Sequence, residues 1–85
     1  MTFHSDPGHG WLEVSETIMD QLNILDRISE YSYYSFDEKK YYLEEDCDAS
    51  ILINALKQQR IEYVIRELEH KGSAFIRKMS RVGAV

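Results

Sequence analysis

The chain has one cysteine, Cys47, one proline, Pro7, and one tryptophan, Trp11, in 85 residues. A single cysteine excludes an internal disulfide and fits a reducing compartment. It also excludes a zinc site built from two cysteines and two histidines. No apolar run approaches the roughly 18–20 residues that cross a bilayer. The N-terminus lacks a basic segment followed by an apolar one, so the cytosol is the expected location. Basic residues are outnumbered, ten Lys and Arg against fifteen Asp and Glu, for a formal charge of −5. That sign argues against direct nucleic-acid binding, which needs a basic face for the phosphates. Nothing in the sequence calls for a cofactor.

With 44% hydrophobic and 29% charged residues the composition is that of a globular chain. The length predicts a single domain over 1–85. Charge is split along it. Residues 1–48 carry 12 acidic and 3 basic side chains, and residues 49–85 carry 3 acidic and 7 basic. Such halves either neutralise each other on folding or steer a partner.

Turn and period signals divide the chain. Residues 1–5 are short and mixed, at most a partial strand. Asp6-Pro7-Gly8 is a turn. Residues 10–14 alternate as a strand, with Leu12 and Val14 on one side. Ser15 is a candidate N-cap for a short helix ending near Asn23, with Ile18, Met19 and Leu22 as its apolar stripe. Residues 27–36 and 39–46 read as a hairpin rich in tyrosine, its turn at 36–39. Residues 47–60 form the stronger helix, with Asp48 as N-cap and Ile51, Leu52, Ala55 and Leu56 facing the core. Residues 61–68 and 74–79 read as the last strands, 70–73 as a turn, and the tail to Val85 as frayed. The sum is a two-layer α+β domain in the order β-α-β-β-α-β-β. A mostly antiparallel sheet of about five strands should carry both helices on one face.

Three blocks, "SDPGHGWLEV" (5–14), "ISEYSYYS" (28–35) and "YYLEEDCDAS" (41–50), carry a resemblance. The chain resembles a family of small proteins encoded by phages, prophages and plasmids. The family's patterns are D-x-G-H-G-W-L-x-V and Y-L-E-E-D-C-D-A. The resemblance implies no catalytic residues. It implies a setting, in which small acidic proteins bind and inhibit host defence machinery of the CRISPR or restriction type.

Four features are candidates for function. His4, Asp6 and His9 bracket the first turn and could hold a metal. The spacing matches no recognised metal motif, so Asp6, Gly8, His9, Gly10 and Trp11 are read first as a structural loop, with Gly8 or Gly10 at positive φ. Cys47 precedes a helix start, where a thiolate gains from the dipole, but the carboxylates around it oppose ionisation. Glu44, Glu45, Asp46 and Asp48 are the densest acidic cluster and suit a basic protein surface. Tyr31, Tyr33 and Tyr41 add contact area at small entropic cost. The expected function is therefore non-enzymatic: binding and inhibiting a host protein with a basic surface, through Glu44, Glu45, Asp46, Asp48, Tyr31, Tyr33 and Tyr41. The alternatives are a small metal or cysteine enzyme using His4, Asp6 and His9, and a homodimeric module joined through an edge strand such as 74–79.

Overall fold

In the computed structural model, which describes residues 1–72 and 74–82, six strands form one sheet. The elements in chain order are β1 (Thr2–Ser5), β2 (Gly10–Ser15), α1 (Glu16–Leu22), β3 (Tyr33–Ser35), β4 (Lys40–Glu44), α2 (Ala49–Gln58), β5 (Arg66–Glu69) and β6 (Ser80–Arg81). The spatial order is β5-β1-β2-β4-β3-β6. Every neighbouring pair is antiparallel except β1 with β5. This is an α+β fold with both helices on one face of the sheet. The end of the expected 70–73 turn, Ser73, and the tail beyond Val82 lie outside the described residues.

The helix face is set by strand alternation. Leu12 and Val14 of β2 and Tyr41 and Leu43 of β4 bury against Met19 and Leu22 of α1 and Leu52, Ala55 and Leu56 of α2. The apolar stripe of each helix thus meets one face of a sheet whose side chains alternate with a period of two. Ser15 caps α1 as expected, accepting a bond from the Ile18 N–H at 3.2 Å. Asn23 ends the helix in the left-handed region, with φ of 54°.

The second face is not left open. Trp11, Tyr33 and Tyr42 project from it and pack under Ala74 and Ile76. That C-terminal segment was expected to be a strand. Its core, Phe75–Lys78, is a 3₁₀ helix instead. The cause is Asp6. Its carboxylate accepts the Ala74 N–H at 2.9 Å and grips the Arg77 guanidinium at 2.6 and 2.8 Å. A segment whose backbone donor is taken by a buried side chain cannot also offer it to a sheet ladder. The edge strand proposed at 74–79 for self-pairing therefore does not exist, and the sheet edges are β5 and β6.

Two more strands are shorter than the sequence predicts. Of residues 27–36, only Tyr33–Ser35 pair with β4. The Asp48 side chain captures the Ser29 N–H at 3.0 Å and the hydroxyls of Ser29 and Ser32, which bends 29–32 away from the ladder. Of residues 61–68, only those from Arg66 onward enter the sheet, because β1 offers just four partners. The first five residues, expected to be at most a partial strand, supply that whole strand.

Candidate functional site

The two faces of the sheet separate the nominated residues. Tyr41 points to the helix face and is buried there, where it helps line a groove of about 480 Å³ with Tyr34 and Phe36. Tyr31 and Tyr33 lie on the other side. They line a cleft of about 210 Å³ together with Trp11, Glu44 and Asp46. His9, Cys47, Arg77 and Arg81 complete its lining.

The floor is aromatic. Trp11 meets Tyr33 edge to face, with ring centroids 6.4 Å apart. The Arg77 guanidinium stands 5.3 Å from the Trp11 ring, and Arg81 stands 5.6 Å from Tyr33 and 6.0 Å from Tyr31. These are cation–π distances. The two arginines differ in how they are held. Arg77 is locked by both oxygens of Asp6, whereas Arg81 forms no ion pair among the described residues. Tyr31 is 53% exposed and forms the rim.

The acidic cluster divides into two pairs. Glu45 and Asp46 are exposed, and Asp46 faces the cleft. Glu44 is only 8% exposed. Its Oε2 accepts the Cys47 N–H at 2.8 Å, and its Oε1 lies 3.9 Å from His9 Nδ1. Asp48 is 1% exposed and cannot touch a partner. Nor does its side chain cap α2, since it is spent on Ser29 and Ser32. A four-carboxylate contact surface is thus reduced to Glu45, Asp46 and the inner edge of Glu44.

His4, Asp6 and His9 do not converge. His4 is buried on β1, with Nε2 3.0 Å from Glu13 Oε1 and Nδ1 2.9 Å from His70 Nε2. Burial pushes the Glu13 carboxyl up, but bonds from His4 and Lys40 outweigh it and leave the group below its ordinary value. Asp6 accepts the Gly8 and His9 N–H groups at 2.9 Å besides Ala74 and Arg77. The Arg77 bond first, then the backbone donors, hold its carboxyl well below the usual range despite burial. His9 is half-exposed and packs beside Trp11. Among the described residues the His4, Asp6 and His9 side chains form no shared metal-ligand cluster.

The loop's backbone differs from the one expected. Neither Gly8 nor Gly10 has positive φ. At Gly10 a Cβ would lie 2.4 Å from Phe3 Cζ and 2.9 Å from Glu45 Oε2, so a larger residue there would force both side chains to move.

Cys47 is exposed, but its thiol is pushed up by a hydrogen bond to Glu44, then by burial and by the charges of Glu44, Asp48 and Asp46. The carboxylates override the helix terminus that would favour a thiolate. Arg77 and Arg81 were not nominated from the sequence. The excess of basic residues after position 48 was the one available signal. No family model, no curated protein and no solved structure matches the chain.

Proposed function

We propose that the protein is a binding module, not a catalyst, and that it takes a basic side chain of a partner protein into the cleft between Tyr31 and Asp46. One observation carries this reading. Tyr31, Tyr33, Glu44 and Asp46 come from separate stretches of the chain and line one small cavity. Its aromatic floor and carboxylate wall suit a cation on an apolar stem. A volume of about 210 Å³ is that of one large side chain, not a drug-sized ligand. The raised Cys47 thiol speaks against nucleophilic chemistry at the same place. The resemblance to phage-encoded proteins makes the narrower reading inhibition of a host defence effector whose own surface is basic because it handles nucleic acid.

The test is capture of the partner from host lysate by the tagged protein, followed by titration of the purified pair. Glu45→Lys with Asp46→Lys should leave the fold intact, since both side chains are exposed. Binding should fall by about tenfold or more at low salt, with the difference shrinking as salt screens it over about 8 Å. Equal affinity of the double variant and the parent at low salt would refute the reading. Glu44 is left out of the pair because it is buried and holds the Cys47 N–H.

A further inference from the structure

We infer that the aromatic rim of the cleft is a guanidinium seat, that the partner side chain it selects is arginine, and that the chain's own Arg81 is its resident occupant until the partner arrives. The inference rests on the function proposed above and names the chemistry that the cleft reads.

The argument starts from the unequal anchoring of the two arginines. Arg77 has a dedicated buried carboxylate, and its position over Trp11 follows from that bond. Arg81 has no carboxylate among the described residues, although Asp46 lines the same cleft. What places Arg81 is the strand register, which sets it opposite Tyr33, and the faces of two tyrosines. The strand that carries it is two residues long and exposed. Its pairing with β3 covers Ser80 and Arg81, with the Val82 N–H bonded to the Ser32 carbonyl at 2.8 Å. A short edge ladder of this kind opens at far lower cost than the core strands.

The seat is therefore filled by a cation that stacks but makes no ion pair among the described residues, and Asp46 makes none among them either. An incoming arginine can do both. Its planar group can lie on the Tyr31 face while its N–H fork reaches Asp46, a combination that the compact, strongly hydrated ammonium of lysine matches poorly. Displacement of Arg81 then exchanges one cation–π contact for another and adds a charge-assisted bond.

The probe is a fluorescein-labelled hexapeptide, Gly-Arg-Gly-Gly-Arg-Gly, and its Lys-for-Arg counterpart, with binding read by anisotropy. Four proteins are compared: the parent, Arg81→Gln, Arg81→Lys and Lys78→Gln. Emptying the seat in Arg81→Gln should tighten the arginine peptide by about fivefold or more. Arg81→Lys keeps the charge but not the planar group, and should tighten it by about half as much on a logarithmic scale. Lys78→Gln removes one positive charge outside the cleft, and should change affinity by less than about twofold. The parent should prefer the arginine peptide to the lysine peptide by about threefold or more. Arg81→Gln that binds the arginine peptide no better than the parent would overturn resident occupancy and leave the binding function standing. Equal tightening in Arg81→Gln and Lys78→Gln would reduce the effect to net charge and overturn it also. If neither peptide binds any of the four proteins, the binding function itself fails and this inference with it.

Discussion

The Asp6 carboxylate accepts five hydrogen bonds among the described residues, and its chemistry makes a pH prediction. It joins the first turn, through Gly8 and His9, to the C-terminal segment, through Ala74 and Arg77. Because its carboxyl is held below the ordinary value of about 3.9, its stabilising effect is complete above that value. The effect is lost as pH falls through the depressed folded value. Thermal melts of the parent and Asp6→Asn between about pH 2 and pH 7 should converge on acidification, with the parent clearly more stable at the neutral end. A gap that is constant across the range would show that Asp6 acts through packing alone. A second residue-scale test concerns Cys47. Its thiol should react slowly with iodoacetamide near neutral pH for so exposed a group, and Glu44→Gln should speed the reaction by removing the leading cause of its raised value. An unchanged rate in that variant would mean that access, not ionisation, limits the chemistry.

At the scale of elements, α2 and the 29–32 bend are held by different forces, and their loss should look different. Leu52 is fully buried between α2 and the sheet, so Leu52→Ala should cost about 2–5 kcal/mol by transfer and cavity terms. Asp48 has no apolar role. It satisfies the Ser29 N–H and two serine hydroxyls, and Ser32 in turn receives the Glu44 N–H at 2.9 Å. Asp48→Ala should therefore strand buried donors and cost about 3 kcal/mol or more, at roughly 1.5–3 kcal/mol for each charged hydrogen bond. Urea unfolding of both variants measures this. If Asp48→Ala unfolds at the parent's midpoint, the carboxylate does not organise the bend. The pair also explains why a tyrosine-rich stretch of ten residues yields a strand of three. Ser29 and Ser32, on either side of Tyr31, are committed to the carboxylate of Asp48 at the start of α2.

At the scale of the whole molecule, stability should be graded across the sheet. The middle strands β2 and β4 are covered on both faces, by the helices and by the Ala74–Ile76 segment. The outer strand β5 is exposed at all four residues, and the chain leading to it leaves Val64 79% exposed. It is tied to β1 by backbone bonds such as Arg66 N–H to the Met1 carbonyl and His70 N–H to the Ser5 carbonyl, and by the His4–His70 contact. Hydrogen exchange should therefore be faster at the two edges, 61–69 and β6, than in β2 and β4, since local opening costs least where few apolar contacts are lost. Protection in β5 equal to that in β4 would contradict this, and would point to a partner covering that edge. Three of the four β5 residues, Arg66, Glu67 and Glu69, are charged, which discourages strand-to-strand aggregation at an open edge. Charge balance also resolves at this scale. Of the five ion pairs among the described residues, only Asp6–Arg77 joins the acidic first half to the basic second half.

The α+β class, both helices, the Ser15 cap, the Asn23 stop and the helix-side core were legible in the sequence, because each depends on neighbours within a few residues or on a simple period. Leu12, Val14, Leu52 and Leu56 announce their face wherever the chain goes. The extents of the late strands and the composition of the cleft were not legible, for one physical reason. A backbone donor goes to the strongest acceptor within reach, and in two places that acceptor is a buried carboxylate distant in sequence. Asp6 is 68 residues from Ala74 and turns a strand-like segment into a 3₁₀ helix. Asp48 is 19 residues from Ser29 and shortens the hairpin. Composition could show that acids were plentiful early in the chain and arginines late. Only the tertiary structure decided which acids would be buried as clamps, which would stay exposed at the cleft, and that Arg77 would be the arginine held by a clamp.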